Sequence, residues 1–323
     1  MFMEVLKNFL RNFWLPSIIK KRNKINLIKF KNMLLATEAR KLILETSYNN
    51  KLYIVHNLYT APATYGDFIW LIGLINVLKE LRKEVNLIIV KGAYSNKWRK
   101  FKISYDGDKL AREFFEITEK IDKNNYSFST KLIDQKEINR FLNSVNHKEI
   151  LFADQVKKNF PIHMMYFDLI SILISQTNLK YPSLSFNKQN VSKILNNLPE
   201  NYISLHLRYN LEWGENRNPS NDEVIQLING IKKFTMANIV IVSDHIGCKY
   251  FKEIIEKKSK NEGILFSKDF THSFYEDCEL ILNSSLYLQF KGGGTSSVPI
   301  FSSIPYLIYA KIYSINETKC SEM

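Results

Sequence analysis

The stretch QFKGGGTSSVPIFSS, residues 289–303, holds three of the chain's eleven glycines in a row, Gly292, Gly293 and Gly294, followed at once by Thr295, Ser296 and Ser297. Without a Cβ, glycine lets backbone N–H groups approach an anion closely, and a helix opening just beyond adds the partial positive charge of its first turn. Phosphate is the chemistry such a segment suits. One or two glycines would relieve a tight turn; three ahead of hydroxyl residues favour an anion site formed by Gly292, Gly293, Gly294, Thr295 and Ser296. The run is neither a P-loop, because no Gly-Lys-Ser/Thr follows, nor the G-x-G-x-x-G fingerprint. A second constellation stands in YISLHLR, residues 202–208, where His206 and Arg208 are two apart on a strand-like run and so face the same side. The guanidinium offers a planar fork matched to phosphate oxygens. An isolated arginine would more simply meet a carboxylate, but together with the glycine turn it points to a diphosphate. The loop NLEWGENRNP that follows adds Glu212, Glu215 and Arg217.

These residues need elements to hold them, and the apolar pattern supplies a clear grammar. Short Val/Ile/Leu-rich runs alternate with longer helical periodicities, the signature of an α/β protein with parallel sheets. In the first half KLYIVHNL (51–58) reads as a buried strand, FIWLIGLINVLKELRKE (68–84) as a helix and VNLIIVKG (85–92) as the next strand, with ILFADQ (150–155) and the helix MMYFDLISILISQ (164–176) further on. Pro182 and Pro199 flank a polar helical stretch, FNKQNVSKILNNL, that marks a domain entry. The alternation then restarts: the strand ending at Arg208, a helix opened by the capping box Ser220-Asn221-Asp222-Glu223, the strand ANIVIVSD (237–244), a basic helix, GILFS (263–267), the helix HSFYEDCELILNS, and the strand SLYLQFK (285–291) running into the glycines. Thr295, Ser296, Ser297 and Pro299 suit the opening of a helix, and IPYLIYA (304–310) reads as another buried strand.

The bulk properties bound the organisation. A chain of 323 residues, 45% hydrophobic, suits two domains and argues against disorder. The boundaries read as a basic amphipathic arm over 1–31, an N-terminal Rossmann-like domain over 32–182 and a C-terminal one over 183–323, with parallel sheets facing a central cleft. Net charge is +13, which predicts an anionic partner. The arm carries eight basic residues against one acid, with Phe2, Leu6, Phe9, Leu10 and Phe13 at helical spacing, so it suits either an acidic membrane surface or docking on its own domain. No apolar run reaches membrane-spanning length and the opening residues lack a signal-peptide pattern, from which we expect a cytoplasmic chain, with the arm able to hold it to the inner face of the cell membrane. Three widely spaced cysteines, Cys248, Cys278 and Cys320, suggest neither a disulfide framework nor zinc, and six scattered histidines suggest no metal site.

Two similar α/β halves with a strand-glycine-helix turn in the second resemble the GT-B glycosyltransferases. HLR at His206–Arg208 resembles the His-x-Arg strand motif of one fucosyltransferase group, in which the arginine contacts the nucleotide diphosphate. TYGDFIWLIGLINVLKEL is similar to the Gly-Asp-helix opening of heptosyltransferases. Tyr209 stands where many fucosyltransferases have a second arginine, and no Asp-Thr-Gly stands at the glycine turn. The resemblance implies transfer of a sugar from a nucleotide-diphosphate donor to a glycan or lipid-linked acceptor, in bacterial surface polysaccharide synthesis, with no cofactor or metal. It makes Asp67 the first candidate base, with helix capping as its simpler alternative, and Glu215 the rival base. It places His206, Arg208 and the glycine turn on the donor phosphates. Asp269, Thr271 and His272, with Ser243 and Asp244, fall where such domains contact base and ribose, although each alone can equally be a cap. Two other classes stay open: a non-catalytic membrane-associated scaffold of the same fold, and a basic nucleic-acid-binding protein. The second is disfavoured because the basic residues outside the arm are dispersed and no nucleic-acid motif occurs, so no nucleic-acid partner is expected.

Overall fold

The computed structural model describes residues 51–59, 64–80, 84–92, 106–121, 128–146, 149–152, 170–171, 173–175, 181–184, 196–210, 218–258, 262–291 and 293–309. The basic arm, Glu212, Glu215, Arg217, Gly292, Cys320, most of the two helical stretches between 164 and 198, and Ala153–Gln155 of the strand expected at 150–155 lie outside these residues.

Two parallel sheets carry the fold. The first consists of β1 (Lys51–Asn57), β2 (Glu84–Val90), β3 (Ser129–Ile133) and β4 (Ile150–Phe152) in the order β3-β2-β1-β4. Helices α1 (Tyr65–Glu80), α2 (Gly107–Lys120) and α3 (Ile138–Ser144) connect these strands in turn. The second consists of β5 (Tyr202–Leu207), β6 (Asn238–Val242), β7 (Ile264–Phe266), β8 (Leu286–Phe290) and β9 (Tyr306–Tyr309) in the order β7-β6-β5-β8-β9, also parallel throughout. Its connections are α4 (Asn221–Phe234), α5 (His245–Lys258), α6 (Phe274–Leu282) and the four-residue α7 (Ser297–Ile300).

The inner strands β1, β2, β5 and β6 read as near-continuous apolar runs because both faces are covered. In β1, Leu52 and Ile54 enter one core while Val55 enters another with Ile88, Val90, Ile133 and Ile138. In the second sheet Leu205 and Leu207 pack under α4 and α5, whereas Tyr202 and Tyr287 face α6. Local signals fix the helix starts. Ser220 accepts from the Glu223 amide while Glu223 accepts from the Ser220 amide, the expected capping box; Ser273 and Glu276 form a second at α6, and Asp106 caps α2.

Both strand orders reverse direction once. In the first sheet the chain runs β1, β2, β3 to one side and then places β4 on the other side of β1; in the second it runs β5, β6, β7 and then places β8 beside β5. Each reversal opens a crevice at the carboxyl ends of the two strands flanking it, which is where open α/β sheets bind ligands.

One hydrophobic cluster spans both sheets, joining α1 and α2 to α6, α7 and Phe301. Phe301 fits against Gly73 of α1, where a Cβ would stand 2.5 Å from the ring, and meets Trp70 edge-on with ring centres 4.7 Å apart. Tyr65 stacks on Phe274 of α6 at 4.2 Å, and Lys120 Nζ sits 4.1 Å from the centre of the Tyr275 ring.

Several elements differ from their sequence reading. Helix α1 begins at Tyr65 rather than Phe68, because Thr64 provides the cap. Elements α2, β3 and α3 occupy a region to which the sequence reading assigned no element: α2 is amphipathic and buries Leu110, Ala111, Phe114 and Ile117 along one face, whereas β3 is an edge strand with a largely solvent-facing run STKLI. The strand expected to be buried at 304–310 is the exposed edge strand β9, with Leu307 65% and Tyr309 58% exposed. The hydroxyls after the glycines do not open a long helix: a 3-10 turn over Gly294–Ser296 leads into α7, whose start has no side-chain cap.

Candidate functional site

The reversal between β5 and β8 brings the two constellations of the second half together. His206 pairs in register with Gln289, and Leu207 with Phe290, so Arg208 and Lys291 leave the ends of neighbouring strands side by side. Arg208 is half-buried and its Nη1 donates to Asn218 Oδ1 at 3.2 Å. Asn218 also accepts from the Asn210 amide and donates Nδ2 to the Asn210 carbonyl, at 3.0 and 2.9 Å, thereby tying together the two ends of segment 211–217.

Lys291 has φ 64°, a left-handed backbone rare outside glycine, at the point where the strand gives way to the turn. Its side chain is only 10% exposed, and Nζ pairs with Glu223 Oε2 at 2.6 Å. Burial works to raise the Glu223 carboxyl, but the hydrogen bonds from Lys291 and Ser220 outweigh it and hold the group below the usual range. The cap of α4 is thus fastened to the rim of the β5/β8 crevice. Asn218 and Lys291 escaped the sequence reading; the position of Lys291 directly before three glycines was the available signal.

Beneath the turn, Tyr287 donates to Gln289 Oε1 at 2.6 Å and its hydroxyl lies 2.9 Å from Thr295 Oγ1, so the Thr295 side chain points inward. Burial pushes the Tyr287 phenol well up. Ser296 and Ser297 donate to the carbonyls of Gly293 and Gly294, each at 3.0 Å, so these hydroxyls brace the turn rather than cap a helix. His206 is 6% exposed and packs against Gly293. Burial, with the Arg208 charge nearby, lowers its pKa to about 4, so the imidazole is neutral at physiological pH.

Across from this rim lies the start of α1, which follows the carboxyl end of β1 at the first sheet's own reversal. Thr64 accepts from the Asp67 amide at 3.1 Å and donates to Asp67 Oδ2 at 2.7 Å. Asp67 is therefore the third residue of the helix rather than its cap. The opposing turns touch: a Cβ on Gly66 would stand 2.8 Å from the carbonyl oxygen of Gly294.

The residues assigned to the nucleoside divide. Thr271 is fully buried, its hydroxyl donating to Asp277 Oδ1 at 2.6 Å beside the Lys268–Asp277 ion pair, so it serves the fold and not the cleft. Ser243 is buried and donates to the Leu207 carbonyl at 2.9 Å, linking β6 to β5. Asp244 is exposed and accepts from the Gly247 amide at 2.7 Å in the first turn of α5. Asp269 is exposed and paired with Lys252 at 3.4 Å, and His272 is exposed ahead of α6. Of the five, Asp244, Asp269 and His272 are accessible.

Two Rossmann-like units with parallel sheets, touching through turns at their carboxyl edges, define a GT-B-type fold. Solved structures of that class are similar to this chain: the glycosyl transferase family 9 protein of Veillonella parvula, at 10% identity and TM-score 0.52 over 80% of each chain, and the E. coli ADP-heptose lps heptosyltransferase II, at 10% identity and TM-score 0.51 over 80% of this chain and 84% of that one. No protein-family model matches the chain, and no curated protein matches it significantly in sequence.

Proposed function

We propose that the chain is a glycosyltransferase that moves a sugar from a nucleotide-diphosphate donor to a hydroxyl of a glycan or lipid-linked acceptor in surface polysaccharide synthesis. The observation that carries this reading is the meeting of two strand-order reversals: Arg208, Lys291 and the glycine turn rim one, and the Thr64–Asp67 turn follows the other, with Gly66 against Gly294. The similarity to a family 9 glycosyl transferase and an ADP-heptose heptosyltransferase supports the same reading.

In this reading Arg208 and the backbone N–H groups of the glycine turn hold the diphosphate and offset the charge that develops as it leaves. Asp244, Asp269 and His272 border the nucleoside. Asp67, oriented by Thr64, takes the acceptor hydroxyl's proton, with Glu215 as the alternative base. No cofactor beyond the donor takes part. The basic arm holds the protein to acidic lipid on the cytoplasmic face of the membrane.

A thermal-shift screen against UDP, GDP, ADP and CMP tests the donor half, because a ligand that binds only the folded state raises the melting temperature. One of the diphosphates should do so, and a sugar donor carrying that base should then be consumed in the presence of acceptor. A chain that responds to none of the four loses this reading.

A further inference from the structure

Of the two described glycines in the turn, only one is demanded by space, and its neighbour explains why. A Cβ on Gly294 would meet nothing closer than 3.5 Å, whereas one on Gly293 would fall 2.1 Å from His206 Cε1, 2.7 Å from Nε2 and 2.9 Å from Nδ1. The backbone angles of Gly293, φ 161° and ψ 167°, are extended and open to any residue, so conformation does not require glycine there. The imidazole occupies the volume a side chain at 293 would need. His206 Nδ1 is buried with no hydrogen-bond partner, so packing rather than a bond at that atom accounts for the placement of this edge of the ring.

The turn is seated on the sheet at two points two strand positions apart in register. Thr295 is fastened to Tyr287 through their hydroxyls, and Gly293 rests on His206, which lies opposite Gln289. We infer that His206 is a positioning residue for the glycine turn: its ring is the stop on which Gly293 sits, and it fixes the height at which the backbone of residues 293–295 is presented at the crevice. This rests on the phosphate-binding reading of the turn only for its effect on ligand, not for the seating itself. It also separates two reasons for a glycine, room for a ligand above and room for a ring below.

A size-exchange experiment distinguishes them. The probe is whichever of UDP, GDP and ADP gives the largest thermal shift with the parent, and its affinity is measured by calorimetry for Gly293→Ala, His206→Ala and the double variant. Gly293→Ala should weaken the probe by about tenfold or more. The double variant should return to within about threefold of His206→Ala, because contacting residues are non-additive when one change makes room for the other. The inference is overturned if Gly293→Ala binds like the parent, or if the two changes multiply, in which case the glycine is needed for the ligand alone. Should the parent bind none of the three nucleotides, the donor assignment fails but the seating is still decided by melting temperature: Gly293→Ala must melt below the parent and the double variant above Gly293→Ala, and absence of that recovery rejects the stop.

Discussion

His206 sits on the inside of β5 with its charge suppressed, and that has a cost that can be measured. Its pKa is lowered from an ordinary value near 6.5 to about 4 by burial and by Arg208. Above pH 6.5 both folded and unfolded chains carry it neutral. Between about 6.5 and 4 the unfolded chain takes up a proton that the folded one refuses, so stability falls as pH falls, by up to about 3 kcal/mol from this residue. Urea unfolding at pH 7.5 and pH 5 should therefore show a larger loss for the parent than for His206→Asn, and equal losses would contradict the assignment. Arg208→Ala should weaken nucleotide binding by the roughly 1.5–3 kcal/mol of a charged hydrogen bond while leaving the far-ultraviolet circular dichroism unchanged, with calorimetry as the check. At this scale the sequence displays residue types but not their partners. The spacing of His206 and Arg208 on a strand was readable, whereas Thr271 looked like a nucleoside contact because its partner Asp277 becomes visible only once the 3-10 turn Ser267–Asp269 and α6 pack together.

The link from α4 to the crevice turns a local cap into part of the site. Ser220→Ala removes one half of the capping box and should cost about 1 kcal/mol, as N-cap replacements do. Glu223→Ala removes the other half and also strands the ammonium of Lys291, whose side chain is only 10% exposed, so its cost should exceed that of Ser220→Ala. Denaturant midpoints of the two variants provide the test, and the reverse ranking would mean that Lys291 is satisfied elsewhere. This cap was legible because four consecutive residues contain the whole interaction. The segment after the glycines was not, for a physical reason: Thr295, Ser296 and Ser297 have hydroxyls that can serve a helix start or the carbonyls of their own turn equally well, and the choice depends on Tyr287 beneath. Strand β9 was misjudged on the same ground, since an apolar run looks alike at the centre and at the edge of a sheet.

For the molecule as a whole, the two halves announced themselves through repeated strand and helix periods, but nothing in that pattern says how they meet. The meeting is made of backbone against backbone at Gly66 and Gly294 and of Phe301 set against Gly73. A valine at 66 cannot be accommodated by a side-chain shift, because the atom 2.8 Å away is the carbonyl oxygen of Gly294. Gly66→Val should consequently part the two turns, raise the radius of gyration measured by X-ray scattering, and leave nucleotide affinity close to that of the parent, because Arg208 and the glycine turn belong to the second sheet alone. Sugar transfer should fall by at least about 10²-fold, since a misplacement of about 1 Å between reacting groups has that effect. The three readouts separate the possibilities. If scattering and transfer are both unchanged, the turns do not depend on their contact in solution; if affinity falls with transfer, the first domain takes part in holding the donor; and only a loss of transfer with binding retained agrees with a donor seated on one domain and a base, Asp67, delivered by the other.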